Sequence, residues 1–271
     1  MKKKILSILL VLCLVVLTGC SSKSTRNPEA TPTPEPELDD RIIDDIIDRG
    51  CLVVGVKTDV PDLCLYDETT GSYEGLEADI AYSTAAKIFS VSLHEAVDRN
   101  LVEFVPVTVN DREEKLRWGQ IDLMLATYTI TAERAEKFSL SDSYYTDYIG
   151  VMVLKNRDDL IGLKSLDGKR IGVVKNTTAE DHMTEYIEKN DDLDIEPYFF
   201  EYKDYDHTRE ALDSKEIDAM AADLSVLNGY VDEKSRILEN SFVGQHYAGA
   251  VKNENAILLQ FVNKSIAECI K

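Results

Sequence analysis

Ile121-Asp122-Leu123-Met124-Leu125-Ala126-Thr127-Tyr128-Thr129-Ile130-Thr131-Ala132-Glu133-Arg134 passes from an apolar run into spaced threonines and then into a helix start. The apolar half reads as a buried strand. Thr127 and Thr129 then stand beyond its carboxyl end, where open α/β sheets bind ligands. Arg134 falls in the first turn of the helix that follows Thr131.

The same alternation extends outward in both directions. Residues 52–56 and 102–107 are apolar strand runs, and 121–126 is a third strand. An amphipathic helix is expected over 77–89, and a second over 112–118 that ends at Gly119. Asp39 and Asp40 can cap a short helix carrying Ile42, Ile43, Ile46 and Ile47, which Gly50 can end. This βαβαβ series predicts a parallel sheet covered by helices. The pattern then restarts, with strands expected over 148–154, 170–174, 196–200 and 217–222 and helices over 179–189 and 206–215. Two tandem α/β lobes would face each other across a cleft.

The amino-terminal end reads differently. Lys2, Lys3 and Lys4 precede an apolar run over 5–17, too short to span a bilayer as a helix. That is the form of a signal peptide over 1–19. Leu17-Thr18-Gly19-Cys20 matches the bacterial lipobox, so Cys20 is expected to carry a diacylglyceryl thioether. Two acyl chains suffice for stable anchoring at about 0.8 kcal/mol per buried CH2. Residues 20–38 hold Pro28, Pro32, Pro34 and Pro36 among Ser, Thr and Glu, and are expected to form a disordered tether. The chain is thus expected at the extracytoplasmic face of the cell membrane.

The full chain has 30 basic and 50 acidic residues. Without the leader's three lysines the balance is 27 against 50, a net −23. So acidic a chain is a poor partner for nucleic acid, whose phosphates require basic patches. Beyond Cys20, the cysteines Cys51, Cys64 and Cys269 have no metal-type spacing, and Cys13 leaves with the leader. His94, His182, His207 and His246 are scattered, so no metal centre is expected. No GxSxG, GxGxxG or Walker-type loop occurs, no cofactor is implied, and an enzyme is not expected.

Leu52-Val53-Val54-Gly55-Val56-Lys57-Thr58-Asp59-Val60-Pro61, Tyr73-Glu74-Gly75-Leu76-Glu77-Ala78-Asp79-Ile80-Ala81, Ala126 to Arg134, Phe138-Ser139-Leu140-Ser141-Asp142-Ser143-Tyr144-Tyr145 and Ile217-Asp218-Ala219-Met220-Ala221-Ala222-Asp223 occur in this order. Together they resemble the polar amino acid family of bacterial ABC-transporter solute-binding proteins, family 3, over roughly residues 40–265. The Thr-Ile-Thr-x-x-Arg segment is the most specific part. Val-Gly-Val-Lys-x-Asp-Val-Pro and Gly229-Tyr230-Val231-Asp232 are most similar to the aspartate/glutamate-binding branch.

The resemblance implies a type II periplasmic-binding fold with two α/β lobes joined by a two-strand hinge. Lobe 1 would take 39–147 and 245–271 and lobe 2 would take 148–244. It implies a monomer that binds a free amino acid and delivers it to an ABC permease. An amino-acid sensor and a cyclohexadienyl-dehydratase-like enzyme are the alternatives. The enzyme would need an acid in the cleft, for which Glu77 and Asp62 are the loose candidates.

By the same resemblance Arg134 takes the ligand α-carboxylate, for which the guanidinium fork is suited. Thr127, Thr129, Thr177 and Thr178 add to that seat, and Asp223 takes the ammonium. Lys57 and Arg112 would face the side chain, and two cations in one pocket call for an acidic ligand. Tyr205 adds a hydroxyl contact. The residues alone leave other roles open. Arg134 could pair with Glu133 or Glu136 at the surface, and Asp223 could cap the helix beginning at Leu224. Thr177 could form a capping box with Glu180, Lys57 and Arg112 could be solvated, Tyr205 could be packing, and Asp218 reads as structural. Pro61-Asp62-Leu63-Cys64 and Leu76 depart from the family's aromatic positions, which implies less stacking over the ligand.

Overall fold

The computed structural model describes residues 41–239 and 241–271. The expected leader, lipidated Cys20, tether and Asp39/Asp40 cap lie outside the described residues. No helix among the described residues is long and apolar enough to cross a membrane.

Helix α1 (Arg41–Arg49) packs its Ile42, Ile43 and Ile46 face on the core. Strand β1 (Leu52–Val56) follows, and then a three-stranded antiparallel sheet of β2 (Asp59–Val60), β3 (Cys64–Asp67) and β4 (Ser72–Glu74). Strands of two to four residues are too short to show a period, so this small sheet was not expected. Gly75 (φ 120°) turns β4 into α2 (Leu76–Ile88); a Cβ there would sit 2.5 Å from the Leu63 carbonyl oxygen. Ser92 caps α3 (Leu93–Asp98), and β5 (Val102–Pro106), α4 (Arg112–Arg117) and β6 (Leu123–Leu125) complete the first series. β5, β1 and β6 pair in parallel, as the βαβαβ pattern requires.

After α5 (Ala132–Lys137), β7 runs from Ser139 to Leu154, nine residues earlier than the expected start at Tyr148. Its polar first half is held by an antiparallel partner distant in sequence, which no local pattern reveals. The second series comprises β8 (Arg170–Val174), α6 (Ala179–Lys189), β9 (Tyr198–Tyr202), α7 (Tyr205–Asp213), β10 (Ala219–Asp223) and α8 (Leu224–Tyr230). β8 pairs in parallel with both β9 and β10. A short β11 (Ser235–Ile237) joins β7, β12 (Phe242–Val251) returns beside β7, and α9 (Leu258–Cys269) packs against α2.

The sheet order is β5-β1-β6-β12-β7-β10-β8-β9. The sheet is therefore mixed and not purely parallel: antiparallel β7 and β12 stand between two parallel halves. Their register breaks between Phe242 and Gly244, and Val243 there has φ 54°. Ile149, Val151 and Val153 of β7 face the Leu166–Ile171–Met183 core, while Met152 and Leu154 join the core of α2 and α9, the alternation a strand imposes. Each such buried aliphatic side chain contributes about 1.5–3 kcal/mol.

The two halves are drawn together. The Tyr230 hydroxyl donates to Asp59 Oδ2 at 3.3 Å, Asn110 Nδ2 to the Lys203 carbonyl at 2.6 Å, and Asn176 Nδ2 to Asn110 Oδ1 at 3.1 Å. Gly229 of α8 lies so near β2 that a Cβ would be 2.7 Å from the Asp59 carbonyl oxygen.

Candidate functional site

β6 ends at Leu125, and two residues on Thr127 takes φ 47°, a left-handed conformation that is rare for a β-branched residue. One peptide unit is pinned from both ends there. The Thr127 N–H donates to Glu77 Oε1 at 2.8 Å, and Arg112 Nη1 donates to the Ala126 carbonyl at 2.7 Å. Thr131 caps α5 by accepting the Arg134 N–H at 3.2 Å, which sets the arginine in the first turn.

Arg134 is buried, not paired at the surface; Glu133 pairs with Lys137 instead. Its Nη1 donates to the Thr129 carbonyl at 2.9 Å and its Nη2 to the Asn176 carbonyl at 3.3 Å. Its guanidinium lies 4.3 Å from the Tyr128 ring centroid, and that of Arg112 lies 4.9 Å from it. Burial, aided by the Arg112 charge, lowers the Arg134 pKa to about 10, so the guanidinium stays charged at neutral pH. A guanidinium has five N–H donors, and these two carbonyls leave others for an anion.

Across the cleft, Asp223 ends β10. It stands at the N-cap of α8 but makes no side-chain cap bond. That work belongs to Asp147 of β7, whose Oδ2 accepts the Ser225 N–H at 3.0 Å and the Tyr247 hydroxyl at 2.9 Å. Asp223 Oδ1 is buried without a hydrogen-bond partner. Burial first, and the Asp147 charge second, push the Asp223 carboxyl up to about 7.

The capping box that Thr177 and Glu180 could have formed is absent. The Thr177 hydroxyl donates to the Val174 carbonyl at 2.7 Å, and Thr178 occupies the N-cap position of α6 without a side-chain cap bond. Thr178 instead donates to Gln245 Oε1 at 2.9 Å, tying the start of α6 to fully buried Gln245 in β12. The first turn of α6 thus keeps its N–H groups for the cleft, a setting that favours an anion.

Lys57 and Arg112 are buried, not solvated. Lys57 Nζ pairs with Asp59 Oδ1 at 3.0 Å and lies 4.9 Å from the centroid of the Tyr205 ring. Burial raises the Glu77 pKa, and both cations work against that rise. The premise of two uncompensated cations therefore does not hold. Tyr205, the first residue of α7, is buried against Tyr230.

Arg112, Thr127, Thr129, Arg134, Thr177, Thr178, Tyr205 and Asp223 come together with Val109 around a cavity of about 10 Å³. That is room for about one water molecule. A groove of about 650 Å³ shares Arg134, Thr177 and Thr178 with it and forms its acidic outer mouth, with Glu113, Glu133 and Glu180. Lys57 adjoins the cavity through Tyr205 without lining it. Neither loose acid candidate is placed for catalysis: Asp62 is exposed, and Glu77 is engaged by Thr127 and by the Tyr144 hydroxyl. Asp218 is structural, held by Arg157 at 2.8 Å and Arg170 at 3.0 Å, which depress its pKa.

Asp147 and Gln245 were missed as site residues, and Glu77 was read only as a loose acid candidate for the enzyme alternative. Glu77 had a signal, a charge on the otherwise apolar Leu76–Ala78–Ile80–Ala81 start of a helix. Asp147 and Gln245 had none, because their burial depends on the β7–β12 pairing.

The model of bacterial extracellular solute-binding proteins, family 3, matches residues 52–271. The chain belongs to this family. The family 3 protein is 29% identical to the ABC transporter glutamine-binding protein GlnH of Bacillus subtilis, over 97% of this chain and 91% of that protein. It is 25% identical to the glutamate-binding protein GluB of Corynebacterium efficiens, over 81% and 74%. Among solved structures it is similar to an ancestral arginine-binding protein bound to glutamine, with a TM-score of 0.65, 28% identity and coverage of 81% and 92%. The type II periplasmic-binding fold follows from these likenesses, and a family 3 protein is an extracytoplasmic solute-binding protein.

Proposed function

We propose that this chain is the lipid-anchored receptor of an ABC importer for a polar amino acid of the glutamine or glutamate kind. The observation that carries this reading is the opposition of Arg134 and Asp223 across one small cavity. A buried guanidinium with donors to spare suits the α-carboxylate, and a buried carboxylate oxygen without a partner suits the ammonium. Each charge of the ligand would otherwise be costly to take from water. The similarity to glutamine- and glutamate-binding proteins of ABC transporters supports both the ligand class and the delivery to a permease. The glutamate or aspartate preference expected from Lys57 and Arg112 is weakened by Asp59 and Glu77 beside them, so the amide joins the acid as a candidate.

The lobes, divided at 147/148 and 244/245, would hinge on β7 and β12, where Val243 and the register break supply a soft point. Closure then gains only what the ligand adds in the closed form. Cys20 would keep this monomeric trap beside its permease through its diacylglyceryl group. Thermal denaturation with each of the twenty amino acids tests the ligand class, since binding raises stability by RT ln(1 + [L]/Kd). A shift with glutamine or glutamate is expected, and no shift with any of them would sink the reading. Cys20→Ser should release the protein from the membrane fraction.

A further inference from the structure

We infer that Tyr128 is a positioning residue of the cleft, whose ring seats the guanidiniums of Arg112 and Arg134 close together against the repulsion of their like charges. For what the pair binds, the inference rests on the reading of the cleft as an amino-acid site. Tyr128 does not line the cavity, but Arg112 and Arg134 do. Both guanidiniums stand over its ring, at 4.9 and 4.3 Å from the centroid. The ring itself is fixed. It is fully buried with Leu116, Ile121, Met124 and Phe138, and the Tyr128 carbonyl accepts the Ala248 N–H of β12 at 3.0 Å.

Two things work against the Arg134 charge, burial first and the Arg112 charge second. The face of an aromatic ring is negative and attracts a cation, most strongly where water is excluded. One ring that faces both arginines therefore offsets part of each cost. Its hydroxyl adds to this by donating to Glu113 Oε1 at 2.8 Å. The Tyr128 phenol keeps its proton, because burial raises its pKa. Glu113 stays a carboxylate, because that hydroxyl and Lys137, at 3.2 Å, hold its pKa down against burial. A neutral donor bonded to an anion is polarised by it, which enriches the ring. Arg112 and Glu113 open α4, while Arg134 and Lys137 belong to α5, so Tyr128 clips the two helix starts to each other. Arg112 Nε has no partner within the protein, so the seated pair keeps donors for an anionic group of the ligand.

Two variants separate the ring from mere filling of space. Tyr128→Phe keeps the π face and loses the hydroxyl; Tyr128→Leu keeps an apolar side chain and loses the face. Arginine side-chain NMR on the full chain should show the Nε–H protons of Arg112 and Arg134 shifted upfield by the ring. Tyr128→Phe should keep that shift and bind glutamine or glutamate within about threefold of the wild type by calorimetry. Tyr128→Leu should lose the shift and bind about tenfold more weakly. A Tyr128→Leu protein that binds within about twofold of the wild type overturns the inference. An equal loss in both variants means that the hydroxyl or the packing matters and not the face, and overturns it too. If Tyr128→Leu does not fold, the spectra of the wild type and of Tyr128→Phe decide: an upfield shift absent from the first or lost in the second overturns the proposal. A wild type that binds none of the twenty amino acids would overturn the amino-acid site, and the arginine signals would still decide the role of Tyr128.

Discussion

Each lobe brings one buried carboxyl to the cleft with an oxygen left over, and the two differ in what their own lobe supplies to them. Glu77, from α2 of the first lobe, has the Thr127 N–H and the Tyr144 hydroxyl on one oxygen and two cations nearby. Asp223, at the end of β10 in the second, has an oxygen with no donor and a second carboxylate, Asp147, beside it. Asp147 accepts the Ser225 N–H that caps α8 and the Tyr247 hydroxyl. The difference teaches how to tell the two uses of a buried acid apart. One whose partners are supplied by its own lobe shapes the site; one left without them is completed from outside.

Removing the group opposite Asp223 should have the largest effect. Arg134→Ala is expected to weaken amino-acid binding by about 2–5 kcal/mol, the cost of stripping one partner from a buried charge pair. Calorimetry giving near wild-type affinity would break the contrast between the two acids. Asp223→Asn should follow, with a loss of about 2–4 kcal/mol in binding. The melting temperature of the free protein should stay level or rise, because the variant removes a carboxyl whose charged form burial disfavours.

A pH series sharpens the same contrast. The Asp223 carboxyl is raised to about 7 in the folded protein, above its unfolded value of about 3.9. The folded state then holds the extra proton, so the Asp223 contribution to stability is full below about pH 4 and declines as pH rises toward about 7. Ammonium binding needs the carboxylate. Affinity should therefore climb by up to about tenfold per pH unit below 7 and level off above it. Asp223→Asn should flatten that profile; a slope that survives in the variant would assign the proton elsewhere. The smallest effect should come from Glu77, whose Oε1 has two donors. Tyr144→Phe removes one donor from Glu77 and is expected to cost about 1–2 kcal/mol, a fall of about 2–8 °C in melting temperature by calorimetric scan.

Much of this arrangement was legible in the sequence. Arg134, Thr127 and Thr129 are close in the chain, on a strand end and a helix start that local patterns predict. Asp223 is marked by the apolar run before it. The unread part depends on distance in sequence. Asp147 acquires its role only when β12 pairs with β7 and brings Tyr247 to it. The lengths of β7 and the β2–β4 sheet were hidden for the same reason, since their polar residues are ordered by partners and not by a period. Thr177 shows the converse. Its capping-box spacing with Glu180 is a genuine local signal, but the Val174 carbonyl captures the hydroxyl first.

Gly229 carries a consequence for time as well as for shape. Its α-carbon passes the Asp59 carbonyl with no space for a methyl group, a clearance of 2.7 Å from where a Cβ would be. A methyl group there would press on the contact between α8 and β2. An alanine there would act as a wedge, leaving capture by one lobe intact while shortening how long a captured molecule stays. Gly229→Ala is therefore expected to shorten how long a bound solute is held, which stopped-flow release would show.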